Sequence, residues 1–136
     1  MTSASKPRPS ILYPSQTIER AERAMRCTPL QLKLLVTMVN QSVSLIAIAG
    51  QAGLHNQYTH KPLSEMAAEN ELLWLIQVGL LRREVDGQGL TDSFRLTPLG
   101  RQLVQKWQES QDPACSRPTF RDRFYNALDR WLRLPI

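Results

Sequence analysis

The run from Leu72 to Leu81, "LLWLIQVGLL", is the feature that most constrains the fold of this chain. Only Gln77 and Gly79 interrupt its apolar side chains, and it is too short to suggest a membrane span. A helix end that is apolar on every side must be covered on every side. We therefore expect this run to form the centre of the core.

Two short strands are predicted directly after the apolar run. "LLRREV" and "SFRL" are rich in strand-forming residues, and the segment Asp86-Gly87-Gln88-Gly89 between them supplies turn residues. An isolated two-stranded hairpin is marginally stable in water. The hairpin is therefore expected to pack against the helices around it.

Helix-start and helix-stop signals divide the chain before the apolar run. "SQTIERAERAMRC" is typical of a short charged helix. Thr28 and Pro29 predict a second helix that runs to about Asn40. A third is expected from Ser44 through Ala52, with Gly53 as its stop. The Ala49-x-x-x-Gly53 spacing is typical of a helix-turn-helix, although a short core helix that ends in glycine explains it equally well.

Two longer helices flank the hairpin in the sequence. Pro62 fits the first turn of a helix that ends at Gly79, with Leu63, Met66, Ala67 and Asn70 on one side of its first half. Thr97 and Pro98 begin a helix through Trp107. Both helices are expected to contribute an apolar stripe to the core.

The two ends of the chain differ from its middle. Residues 1–15 are rich in Ser, Pro and basic side chains and predict a flexible basic arm, residues 16–110 the folded domain, and residues 111–117 a linker. Residues 118–136 predict a C-terminal helix. Its large apolar stripe needs a covering surface, either the chain's own core or a second copy, and a homodimer is favoured. The predicted dimerisation residues are Phe120, Phe124, Leu128 and Trp131.

The order of these elements resembles the winged-helix DNA-binding domain, in particular that of bacterial regulators of the multiple-antibiotic-resistance-regulator type. In "LLWLIQVGLLRRE" and "RLTPLGRQLV" the matching residues are Leu75, Gly79, Leu80, Leu81, Leu96, Thr97 and Gly100, and the likeness covers about residues 28–107. The resemblance implies a mainly α fold with a small β-hairpin (α+β), here with extra N- and C-terminal helices. It also implies a recognition helix in the major groove and wing arginines on phosphate.

Charge supports a nucleic-acid partner only in part. The formal net charge is +5, and Arg is far commoner than Lys, which suits contacts with phosphate. The predicted DNA-binding residues are Asn56, Gln57, Tyr58, Thr59, His60, Lys61, Arg82, Arg83 and Arg95. Glu65, Glu69 and Glu71 would face phosphate with the wrong sign.

Two functions therefore follow from the sequence. One is a double-stranded-DNA-binding transcriptional regulator, and the other is a non-catalytic adaptor that binds a protein on the same scaffold. The second would use the acidic helix face of Glu65, Glu69 and Glu71 and the arginine-rich terminal helices. The alternative to DNA contact is a solvated loop for segment 56–61, and for the three arginines it is cross-strand pairing with Glu84 and Asp86.

Catalytic and metal chemistry have little support in the sequence. His55 and His60 are the only histidines, no acid or cysteine stands close enough to suggest a metal site, and no nucleophile motif is present. No enzymatic activity, metal or cofactor is expected. Cys27 and Cys115 form no disulfide framework, which favours a reduced cytoplasmic protein, and the start of the chain has no signal-peptide core.

Overall fold

Helices outnumber strands in the part of the chain that the computed structural model describes, residues 12–110, 124–128 and 130. In chain order they are α1 (Ser15–Cys27), α2 (Leu32–Thr37), β1 (Val43–Ser44), α3 (Leu45–Ile48), α4 (Gly50–His55), α5 (Glu65–Gln77), β2 (Leu81–Asp86), β3 (Gly89–Leu96) and α6 (Pro98–Ser110). Residues 124–128 and 130 are also helical. The chain is an α+β protein, and none of its described helices is both long and apolar enough to cross a membrane.

The second half of α5 lies at the centre of the core, as its apolar run predicts. Leu72, Leu75 and Val78 are fully buried. Leu73, however, keeps 41% of its surface exposed, so the run is not covered on every side. The residues that cover the buried faces come from helices on both sides of α5 and from the sheet, and include Ala21, Ala24, Leu34, Met38, Ile48, Phe94, Leu96 and Val104.

The predicted hairpin is present, and a third strand joins it. The antiparallel sheet has the order β1-β3-β2, with Val43 opposite Phe94 and Arg82 opposite Arg95. The tight turn is closed by the pair Asp86 and Gly89. The two-residue strand β1 gives the base of the hairpin a neighbour that the sequence analysis did not predict, because a strand this short carries no alternation pattern.

Thr97 ties the end of α5, the hairpin and α6 together. Its hydroxyl accepts a hydrogen bond from the backbone N–H of Gly100 at 3.0 Å, which caps α6. The same hydroxyl contacts the carbonyl oxygens of Gly79 and Leu80, and the backbone N–H of Thr97 donates to Leu80. A Cβ atom on Gly100 would overlap the Leu80 carbonyl. The Leu-Thr-x-x-Gly motif is therefore a cap combined with a close approach of backbones.

The predicted helix from Thr28 to Asn40 is shorter in the structure. Leu30 pairs with Thr59 in an isolated antiparallel bridge, and the N–H of Gln31 donates to the carbonyl of Tyr58 at 2.8 Å. Those bonds hold the backbone extended at the residues that the Thr-Pro signal assigned to the first helical turn, so α2 begins at Leu32.

Gly53 does not stop a helix, contrary to the prediction. Ser44 caps α3 by accepting from the N–H of Ala47, and the chain turns at Gly50, whose φ of +64° is left-handed. Gly53 lies inside α4. Its missing side chain lets α4 approach the carbonyl of Ile48, so Gly53 serves a close approach of backbones and not the helix stop that was predicted.

Helix α5 begins later than Pro62 and is rotated from the predicted orientation. Ser64 caps it by accepting from the N–H of Ala67. Ala68 is fully buried, whereas Met66 is 73% exposed. The predicted apolar side of the first half, which included Met66, is therefore wrong, because the single small Ala68 provides the contact with the core.

Replacing Gly53 with Ala should lower the free energy of unfolding by about 1–3 kcal/mol, the range for overpacking a close contact. The added methyl would overlap the backbone of Ile48, which cannot rotate away as a side chain can. Gly87→Ala is the matched control, since a Cβ there meets nothing within 4 Å. Urea denaturation followed by circular dichroism measures both, and equal stability of the two variants would contradict the close approach.

Candidate interaction surface

The segment 56–61 is partly structural. The side-chain amide of Asn56 donates to the carbonyl of Ala47 at 3.1 Å. Tyr58 packs against the core, and Thr59 is 1% exposed. These three predicted DNA-binding residues hold the segment against the domain.

The remaining residues of this segment face solvent. Gln57 accepts a hydrogen bond from the ammonium of Lys33 at 3.1 Å and has a φ of 65°. His60 and Lys61 are exposed. The structure thus gathers Lys33, Gln57 and Lys61 on or near one loop, although Lys33 was not predicted as a site residue.

Arg83 is held by the hairpin and α5 together. Its guanidinium contacts Asp92 at 3.1 Å and Glu69 at 3.7 Å, donates to the carbonyl of Thr91, and stacks over the Phe94 ring at 4.9 Å from the ring centre. Only 19% of its side chain is exposed. A side chain with this many partners positions the hairpin against α5 rather than reaching outward.

Arg82 and Arg95 share one carboxylate on the opposite face of the hairpin. Glu84 lies 3.2 Å from Arg82 and 3.6 Å from Arg95. The predicted cross-strand pairing with Glu84 is therefore present for Arg95 alone, because Arg82 and Glu84 lie on the same strand. Arg83 pairs across the strands with Asp92 instead. Asp86 pairs with none of the three arginines, and its carboxylate accepts from the backbone N–H of Gln88 in the turn. Arg82 remains half exposed.

An exposed strip runs along α5. Met66, Asn70, Leu73 and Gln77 recur at intervals of three and four residues, and all four face solvent. Glu69 lies to one side of this strip, where it contacts Arg83 of the hairpin. Helical geometry therefore places the hairpin along one border of the strip.

The tip of the hairpin adds two apolar side chains on the same side. Val85 and Leu90 are directly paired and are 66% and 73% exposed. The register shift between Arg83 and Val85 adds its extra residues to β3, so strand alternation places Val85 on the face of β2 that carries Arg83. Two adjacent apolar side chains of this size leave apolar area in contact with water, which costs free energy. Their shared exposure therefore indicates a surface that another molecule can cover.

These residues form one surface, which we call the α5–hairpin surface. It consists of Glu65, Met66, Glu69, Leu73, Val85, Leu90 and Asp92. The sequence analysis had identified the acids of α5 but missed the apolar members, since an isolated Val or Leu in a strand pattern gives no sign of its exposure. The charged members of this surface are three acids, and the base beside them, Arg83, is paired with two of these acids, so the surface is acidic around its apolar side chains.

The C-terminal segment described by the structure, the helical residues 124–128 and 130, lies along the other side of α5. The indole N–H of the buried Trp74 donates to Asn126 at 3.1 Å, and Arg130 contacts Glu71 at 3.2 Å. Its contacts with α5 are thus largely polar.

Of the predicted dimerisation residues, two lie in this segment. Phe124 is 55% exposed and Leu128 is 37% exposed. Phe120 and Trp131 lie outside the described residues. The apolar stripe of the segment therefore remains open to solvent where it is described.

A separate cleft of about 500 Å³ lies where α1 ends and α2 begins. Cys27 and His60 line it together with Arg26, and Leu30 and Trp107 supply apolar walls. No carboxylate is among its described lining residues, and no group of three or more His, Cys, Asp or Glu within the described ranges could hold a metal ion. The α5–hairpin surface is the more distinctive feature of the molecule.

Arg83→Ala should lower the free energy of unfolding by about 1–2 kcal/mol, because it removes a charge-assisted hydrogen bond and the contact with the Phe94 ring. Arg82→Ala is the control, and should change stability by less than about 0.5 kcal/mol, as expected for an exposed ion pair. Urea titrations of both variants provide the measurement. A larger loss for Arg82→Ala would show that Arg83 does not hold the hairpin.

Comparison with known proteins gives one match. Neither curated proteins nor solved structures match the chain. The profile of the Npun_F0494-like family matches residues 11–130, a range that includes α1, the whole α5–hairpin surface and the segment that docks on Trp74. The chain is therefore a member of the Npun_F0494-like family.

Proposed function

We propose that this chain is a non-catalytic binding module on a winged-helix fold, and that its α5–hairpin surface binds a protein. The winged-helix assignment is supported by the helix order, by the strand order β1-β3-β2 and by the Thr97 and Gly100 junction after the hairpin. In such a fold α5 takes the place of the recognition helix and the hairpin that of the wing.

The observation that carries the protein-binding proposal is the character of this surface. Met66, Val85 and Leu90 each expose about two thirds or more of their area, and the acids around them outnumber the bases. Exposed apolar groups with a polar rim are typical of protein interfaces. Phosphate would be repelled by Glu65 and Asp92, which face solvent in this region.

Duplex DNA is the second candidate partner, with transcriptional regulation as the corresponding function. It is favoured by the winged-helix order of elements and by the exposure of the basic side chains Lys33, Lys61 and, by half, Arg82. Arg82 can exchange its surface ion pair for a phosphate at little cost, since such pairs contribute about 0–1 kcal/mol. Arg83 and Arg95 are less available because they are more enclosed.

Binding to random-sequence duplex DNA at two salt concentrations separates these candidates. Under the protein-binding proposal, fluorescence anisotropy shows weak binding even at low salt, and Arg82→Glu combined with Lys61→Glu changes it little. Under the DNA candidate, the affinity is high at low salt, falls steeply as salt rises through counterion release, and is lost in the double variant. These substitutions avoid Arg83, whose replacement disturbs the hairpin.

Site-specific photocrosslinking tests the protein partner directly. A photoreactive phenylalanine analogue in place of Met66 should yield discrete adducts in cells that make the protein, and the same group in place of Gln105, exposed on α6, should not. Adducts identified by mass spectrometry as one recurring protein support the proposal. Absence of adducts at position 66, with high-affinity DNA binding, would replace it with the DNA candidate.

A homodimer through the C-terminal helix is a further part of the proposal. The exposed Phe124 and Leu128 support it, and Phe120 and Trp131 continue the same stripe in the sequence. Combined Phe124→Ser and Leu128→Ser should convert the dimer to a monomer by light scattering, because an apolar interface depends on the area that these side chains bury. A wild-type protein that is monomeric at all concentrations would contradict the dimer. The chain has two cysteines, Cys27 and Cys115, too few for a disulfide framework, which supports the cytoplasmic location that we also propose.

A further inference from the structure

The α5–hairpin surface has a shape as well as a charge. The strip through Met66 and Leu73 is bordered on one side by the hairpin, which Arg83 and Glu69 tie to α5. On the other side it is bordered by the C-terminal segment, which Arg130 and Glu71 tie to α5. On a helical wheel Glu69 and Glu71 fall on opposite sides of the strip. The strip is therefore a helix face that lies between the hairpin and the C-terminal segment. We call this arrangement the trough.

The apolar groups of this trough occur on two of its elements. Met66 and Leu73 are two helical turns apart along α5, and Val85 and Leu90 stand together at the tip of the hairpin. An amphipathic helix presents apolar side chains at the same helical intervals and meets a groove in this way. Such a helix buries its apolar face against the strip and its flank against the hairpin tip.

The charges at the border determine which sign of charge a partner must carry. Asp92 is 73% exposed at its side chain and Glu69 is 42% exposed, and Glu65 faces solvent at the start of α5. Arg83, the one base on this side of the hairpin, is already paired with two of these acids. A partner that lies in the trough therefore meets carboxylates at its edges.

We infer that the partner of the α5–hairpin surface is a basic amphipathic helix of another protein, with apolar side chains toward Met66, Leu73 and Leu90 and lysines or arginines toward the bordering acids. This inference rests on the proposed protein-binding function and specifies its partner. Charge complementarity of this kind acts on association rate and on the exclusion of wrong partners.

Two synthetic helical peptides test the charge of the partner. One has Leu on one face and Lys on the other, and the second has the same Leu face with Glu in place of Lys. Titrated into the full chain, the Leu/Lys peptide should shift the amide NMR signals of α5 and of the hairpin tip. The Leu/Glu peptide should bind at least about tenfold more weakly, because like charges meet at the borders.

Variants of the chain test whether the Leu/Lys peptide binds on this surface. Met66→Ser with Leu90→Ser removes apolar contacts, and Glu65→Lys reverses one border charge. Each should weaken the Leu/Lys peptide several-fold. Glu109→Lys on α6 is the matched control for charge, since Glu109 is exposed and pairs only with its own helix neighbour Gln105 among the contacts found, and it should leave binding unchanged.

The outcomes distinguish this inference from the function on which it rests. Equal binding of the two peptides, or equal weakening by Glu65→Lys and Glu109→Lys, would overturn the basic partner. Failure of both peptides with persistent adducts at position 66 would also overturn it, while the protein-binding function stands. Failure of both peptides without adducts would overturn the two together.

Discussion

The contact of Thr97 with the carbonyls of Gly79 and Leu80 is the junction on which the rest of the structure depends. Through this one side chain, the end of α5, Leu80 just before the hairpin and the N-terminus of α6 are connected. Gly100 is required beside it, because any side chain there would collide with the same Leu80 carbonyl. The direction in which the hairpin leaves α5 is therefore fixed by backbone groups. That direction determines where the side chains farther along the hairpin lie.

Arg83 holds the hairpin beside α5, so that the two elements form one surface. Its contacts with Asp92, Glu69 and the Phe94 ring hold the hairpin beside α5, so that the exposed Val85 and Leu90 stand near the exposed strip of α5. The same contacts neutralise the base that would otherwise face a phosphate. One residue thus both builds the trough and lowers its suitability for nucleic acid, which is why structure and charge favour the same partner class.

The sequence predicts those features that local chemistry determines. The apolar run at 72–81, the turn at Gly87, the α6 start at Thr97 and the hairpin itself are all present, because caps, turns and helix periodicity act over a few residues. The extended backbone at Leu30 could not be predicted, since Thr59 pairs with it from another part of the chain. The position of Gly53 inside α4 was missed for a local reason, because the left-handed turn falls at Gly50 and the sequence pattern does not show which of the two glycines turns the chain. The residues of the candidate site also fall into those that the sequence predicts and those that only the structure shows. Its acids are visible in the sequence, whereas the exposure of Met66 follows only from the rotation of α5 that burying Ala68 imposes.

Bulk charge is a poor guide to the partner of this protein because the charge is unevenly distributed. Residues 12–110 carry ten Lys and Arg against nine Asp and Glu, so nearly all of the net +5 belongs to the terminal segments of the sequence. Electrostatic attraction beyond about 8 Å is screened at physiological salt. A partner on the α5–hairpin surface is therefore selected by the charges within that range rather than by the net charge of the chain. On the hairpin side these are the exposed acids, and on the other side they include the Arg130–Glu71 pair.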